Sequence, residues 1–86
     1  MYLHIGNNKN IRARSIIGIF DADTATVSSV TRRYLARADK EGSVSSAGDE
    51  IPKSFVLYRS EQGFAVCFSQ LSTAALVGRS ESKANI

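Results

Sequence analysis

Cysteine, histidine and proline each occur once in this chain of 86 residues. Each near-absence closes off a class of chemistry or structure. Cys67 has no second cysteine for an internal disulfide, so a reducing compartment is expected. It also sits between Val66 and Phe68 on a predicted strand, the surroundings of an inert thiol. His4, between Leu3 and Ile5, has no ligand neighbours at zinc-like spacing, and one Cys with one His makes no metal site. Neither residue has a paired base and orienting acid, and the glycines form no P-loop or dinucleotide pattern. The expectation is a chain without catalytic residues, metal or cofactor, and not an enzyme. No apolar run approaches the roughly 20 residues that span a bilayer. Met1 to Gly6 lacks a basic region followed by a long apolar stretch, so no signal peptide is expected. The chain reads as cytoplasmic, with no membrane partner.

What is present describes one small soluble domain. The composition is 43% hydrophobic and 22% charged, which is globular and not disordered. A chain of 86 residues leaves no room for a two-domain enzyme with a deep interdomain cleft. It buries a modest share of its surface, so help from oligomerisation is expected. The net charge of +3 decides little, but its distribution is uneven. Lys9, Arg12 and Arg14 lie close together without an acid, and Arg32, Arg33, Arg37 and Lys40 are opposed by Asp39 alone. Basic residues therefore gather in the first half and suggest a polyanion surface.

Periodicity predicts an α+β domain over residues 1–79 with a mostly antiparallel sheet, followed by a flexible C-terminal tail at 80–86. Tyr2 to Ile5 and Lys9 to Arg14 read as strands around a Gly6-Asn7-Asn8 turn. Ser15 to Phe20 is a nearly unbroken apolar run, the pattern of a strand covered on both faces. One long amphipathic helix follows, capped by Thr24 or Thr26, with Val27, Val30, Thr31, Tyr34, Leu35 and Ala38 on one face and a stop at Gly42. Ser43 to Ser46 reads as a short strand, and Pro52 bars a helix interior in the loop after it. Ser54 to Arg59 and Phe64 to Ser69 form a hairpin that turns at Gly63. Ser72 caps a short final helix that Gly78 stops.

One helix covers one face of a sheet. The strands at Ile16 to Phe20 and Phe55 to Tyr58 are apolar on both sides. Wetting their large side chains would cost about 1.5–3 kcal/mol each. A homo-oligomer that shelters the second face is therefore expected; the alternative is that strand curvature and the final helix hide it within one copy.

Two features compete for function. Ile16 to Thr24, ending in Asp21-Ala22-Asp23, resembles the first motif of haloacid-dehalogenase-type phosphatases. It departs at Ala25, and 86 residues cannot supply the downstream lysine and acid pair on further parallel strands. The two aspartates are better read as a strand-to-helix turn that favours the helix start. The basic residues are the stronger lead. Ser29, Arg33, Arg37 and Lys40 share a stripe about 80° wide on the helix, while Arg32 and Asp39 fall together on another side. Arg12 and Arg14, two apart on a strand, would share a face.

Met1-Tyr2-Leu3-His4-Ile5-Gly6, the Ser15 to Asp21 strand, Pro52-Lys53-Ser54-Phe55-Val56 and Ser69-Gln70-Leu71-Ser72 together resemble the bacterial extracellular matrix regulatory proteins, nearest the regulator B branch, over about residues 1–79. The resemblance implies a small cytoplasmic protein related to the A branch, whose members form ring oligomers, bind promoter DNA and activate matrix genes. The A branch has an arginine where this chain has Ser15. It has a basic Gly-Arg-Arg-Thr-Arg stretch where this chain has Glu50 to Ser54, of which Lys53 alone keeps a positive charge. The expected function is an oligomeric, ring-forming DNA-binding transcriptional regulator of matrix and biofilm genes. Arg12, Arg14, Arg33, Arg37 and Lys53 would contact phosphates. The alternative is an oligomeric scaffold or partner of a related regulator, without DNA binding.

Overall fold

The computed structural model describes residues 2–6, 9–48 and 50–84, with the backbone alone for 80–84. The elements follow the predicted order: β1 (Tyr2–Gly6), β2 (Lys9–Arg12), β3 (Ile16–Asp21), α1 (Ala22–Ala25), α2 (Ser29–Lys40), β4 (Val44–Ser46), β5 (Ser54–Ser60), β6 (Gly63–Ser69) and α3 (Thr73–Ala84). β1 and β2 form a two-stranded antiparallel sheet. The other four make a sheet in the order β3-β5-β6-β4, antiparallel except where β4 runs parallel to β6. The fold is α+β with a mixed sheet. Asn7 and Asn8 of the predicted first turn lie outside the described residues.

Alternation along β5 sorts the core into two layers. Val56 and Tyr58 face one side with Cys67, and Phe55 and Leu57 face the other with Val66 and Phe68. β3 joins both layers through a bulge. Ile16 pairs with Tyr58 and Gly18 with Leu57, which leaves Ile17 as an extra residue, 55% exposed. Without it, Ile16 and Ile19, three apart, would point to opposite faces. With it, both pack in the Val56 layer. Phe20 faces the other way and stacks on Phe55, its ring lying over the Cα of Gly18.

That Val56 layer corrects the packing inference from sequence. The face assigned to a second copy is covered by the chain itself. Leu3, Ile5 and Ile11 of the β1–β2 hairpin and Leu76 of α3 bury against Val56 and Cys67. Two buried hydroxyls fasten this cover. Ser54 and Ser69 face each other across the ladder at 0% and 1% exposure. Ser69 donates to the Ile5 carbonyl at 2.7 Å and accepts the Leu71 N–H at 3.0 Å. Ser54 donates to the Leu71 carbonyl at 2.7 Å.

The helices depart from expectation in three places. The single long helix is two, because the Thr- and Ser-rich segment between them favours caps over helix interior. Asp21 accepts the Thr24 N–H to cap α1, and Ser28 accepts the Thr31 N–H to cap α2, so neither Thr24 nor Thr26 is the cap. The predicted β2 stops at Arg12, and a 3-10 turn over Ala13–Ser15 swings the chain from one sheet to the other. α3 runs through Gly78 instead of stopping there. An isolated glycine weakens a helix by about 1 kcal/mol without ending it. Gly78 does not take the positive φ of Gly42, which does end α2 at φ 78. There Gly42 donates to the Asp39 carbonyl and Ser43 to the Ala38 carbonyl, the paired bonds of a Schellman motif. Ser72 caps α3 as predicted, accepting the Ala75 N–H at 3.1 Å.

Two substitutions test these assignments by urea unfolding. Ser69→Ala strands the Ile5 carbonyl and the Leu71 N–H and is expected to cost about 1–3 kcal/mol. Gly78→Ala meets no atom within 4 Å and should instead stabilise the protein, by about 0.5–1 kcal/mol.

Candidate nucleic-acid interface

The five cations singled out from sequence fall in three places. Arg12 closes β2, exposed, its guanidinium 5.9 Å from the centroid of the Tyr2 ring. Arg14 lies in the 3-10 turn, so the two do not share a strand face as expected. Arg33 and Arg37 are exposed on α2, which packs against β4 and β6 on the Phe55 side of the sheet. Arg12 and Arg14 flank the hairpin that covers the Val56 side. Lys53 sits just before β5, exposed, its N–H donating to Ser69 and its carbonyl accepting from Ala22, each at 2.9 Å. That is the Ser69 end of β6, whereas α2 runs into β4 toward the Phe64 end.

α2 holds the densest part of the set. Arg33, Arg37 and Lys40 are all exposed, and among the described residues neither Arg33 nor Lys40 has an ion pair. Arg37 meets Glu41 at 3.4 Å, both side chains largely in water at 83% and 61% exposure, so the pair is weak. The apolar stripe beside these cations is not where the sequence placed it. Ala38 is buried and Leu35 half-buried, but Val27 is 76% exposed, Val30 69% and Tyr34 42%. The buried line of α2 is narrower than its apolar line. Val30 and Tyr34 therefore lie beside the cations on the open surface, about 20° and 60° beyond Arg37 round the helix.

Arg32 has another role. Its Nη1 donates to the carbonyls of Thr26 at 2.8 Å and Val27 at 2.9 Å, closing the break between α1 and α2. Although Arg32 and Asp39 fall on the same side of the helical wheel, they form no ion pair. Arg79 of α3 donates to the His4 carbonyl at 3.2 Å, and Arg59 lies 5.5 Å from the centroid of the Phe64 ring.

The sequence also missed a cleft. Lys9, grouped in sequence with Arg12 and Arg14, instead shares with Arg37 the lining of an open cleft of about 620 Å³ at the end of α2. Tyr34, Tyr58 and Phe64 line the same cleft. Lys9 and Arg37 are 28 positions apart, so no local pattern joins them.

Asp21, fully exposed, accepts the Thr24 N–H through Oδ1 at 2.9 Å, and this backbone hydrogen bond holds its carboxyl below the usual aspartate value. His4 Nδ1 lies 3.1 Å from Asn10 Oδ1 across the first hairpin. Cys67 is buried at 0% exposure. Among the described residues no three His, Cys, Asp or Glu side chains gather to hold a metal ion, and no helix is long and apolar enough to cross a membrane. No protein-family model matches the chain, and no curated protein matches it.

The two neighbouring arginines of α2 separate experimentally. Arg32→Ala removes two hydrogen bonds to carbonyls and is expected to lower stability by about 0.5–1.5 kcal/mol. Arg33→Ala, which removes an exposed side chain without an ion pair among the described residues, should stay within about 0.5 kcal/mol of the parent protein. Thermal unfolding of both variants gives the comparison.

Proposed function

We propose that the chain is a cytoplasmic, self-assembling domain that binds the phosphate backbone of duplex DNA and regulates transcription of extracellular matrix genes. The observation that carries this proposal is the surface of α2, where Arg33, Arg37 and Lys40 run beside the exposed Val30 and Tyr34, with the exposed Val27 just before the helix. Burial between copies is worth about 1.5–3 kcal/mol per fully covered large apolar side chain. An assembly that covers the apolar line sets the cationic lines of several copies next to one another. Each copy alone offers a few scattered cations; several copies offer a belt, and weak contacts multiply when they are linked. Cations without carboxylate partners are free to displace the counterions of a duplex, the main source of sequence-independent affinity. The role in matrix gene regulation follows from the family resemblance of the sequence.

A second reading has its own support. Arg12, Arg14 and Lys53 stand apart from the α2 stripe, and Ser15 and the Glu50 to Ser54 segment lack the charges of the A branch. This favours an assembling partner of a related regulator that does not itself hold DNA.

Light scattering together with fluorescence anisotropy of a labelled duplex at two salt concentrations distinguishes the readings. The first predicts a particle several times the 9.3 kDa of one copy and an affinity that falls steeply with salt. Arg33→Ala should reduce the salt slope by about 0.9 for each phosphate that the arginine neutralises. Assembly with no duplex binding near physiological salt selects the partner reading, and a lone 9.3 kDa particle overturns both.

A further inference from the structure

The cleft at the end of α2 lies along an unfinished edge of the sheet. Backbone groups of alternate β6 residues turn outward toward β4. The Val66 N–H donates to the Ser43 carbonyl, and the Phe68 carbonyl accepts from the Ala47 N–H, each at 2.9 Å. The same alternation turns the N–H and carbonyl of Phe64 to this edge. Among the described residues no strand residue stands opposite them. β4 begins at Val44, level with Val66, and the Ser43 N–H is drawn away to the Ala38 carbonyl at 2.9 Å by the end of α2. The Schellman motif that stops the helix thus also stops the ladder, two residue pairs short of Phe64.

Around this donor and acceptor the cleft sets aromatic rings and two cations. Tyr34 and Phe64 are 42% and 54% exposed; Arg59 lies over the Phe64 ring, and the remaining ring surface is open for stacking. Lys9 and Arg37 are the cations of the lining and Glu41 its one acid, already paired with Arg37, so the described lining carries a net positive charge. The volume of about 620 Å³ falls within the range of small-molecule sites. One donor and one acceptor from a single residue are too few to seat a strand of another chain. They match the edge of a nucleobase, which presents an acceptor and a donor side by side. Aromatic rings stack on any base face, and an ammonium with a guanidinium recognises phosphate.

We propose that this cleft binds a nucleoside monophosphate, with the base against Phe64 and Tyr34 and its edge on the Phe64 backbone, and the phosphate held by Lys9 and Arg37. The site goes beyond duplex binding on α2; it shares Arg37 with the cationic stripe and Tyr34 with the apolar line beside it.

Amide chemical shifts of the full-length labelled protein test the proposal, with adenosine and guanosine 5′-monophosphate titrated in separate arms from the two nucleosides and from inorganic phosphate. Saturable binding at about 1 mM or tighter is expected for a monophosphate, with the Phe64 amide among the shifted signals. Nucleoside alone and phosphate alone should each bind about tenfold more weakly or worse, since each engages only part of the site. Lys9→Ala and Phe64→Ala change exposed or half-exposed side chains. Each should weaken binding about tenfold while circular dichroism stays that of the parent. Binding no tighter than that of inorganic phosphate overturns the proposal. So does a shift map that avoids Phe64, or unchanged affinity in both folded variants. Mononucleotide binding without duplex binding would sink the DNA reading alone, and the reverse would sink this site alone.

Discussion

A four-stranded sheet that is apolar on both faces has to be covered twice, and the contact that makes this possible within one copy is the buried hydroxyl of Ser69. It holds the Ile5 carbonyl from one side and the Leu71 N–H from the other, so the first hairpin and the approach to α3 close on the same strand end. Its cross-strand neighbour Ser54 takes the Leu71 carbonyl. In an apolar layer these backbone groups would otherwise be stripped of water with nothing in exchange, a cost comparable to a substantial part of a small domain's stability. Everything in the Val56 layer depends on that cover staying shut.

The opposite face is treated differently, and this asymmetry shapes the functional surface. α2 rests on the sheet through Ala38 and Leu35, leaving Val30 and Tyr34 in water beside its cations. The break at residues 26–28, pinned by Arg32, separates α2 from α1, which is tied back to the sheet through Ala22 and Lys53. The same helix end that turns the chain into β4 also withholds Ser43 from the ladder, opening the edge at Phe64. One local motif, the αL glycine at Gly42, thereby contributes both a helix stop and one wall of a cleft.

Much of the fold was legible in the residues. Strand alternation, the positive-φ glycines at Gly42 and Gly63, the cap at Ser72 and the short β4 all appear where their local chemistry points. The departures share a cause. Thr24 and Thr26 were as acceptable as caps by composition as Asp21 and Ser28, and backbone geometry chose between them. Arg14 left its expected strand because the chain had to cross from one sheet to another within three residues. Gly78 reads as a stop in the sequence, but without a positive φ it only weakens α3 and does not end it. For the candidate site, the exposed stripe of Arg33, Arg37 and Lys40 was readable from a 100° wheel. The inward turn of Arg32 and the meeting of Lys9 with Arg37 were not.

The amino-acid order by itself determined the element types, their succession and the charge carried by α2, because these depend on neighbours within a turn of helix or a few strand residues. The tertiary structure alone decided which apolar faces stay dry, which arginine is spent on a carbonyl and where the cleft opens. Those outcomes depend on groups far apart in the chain, such as Ile5 with Ser69 and Lys9 with Arg37, brought together when burial and hydrogen bonding are satisfied across the whole domain at once.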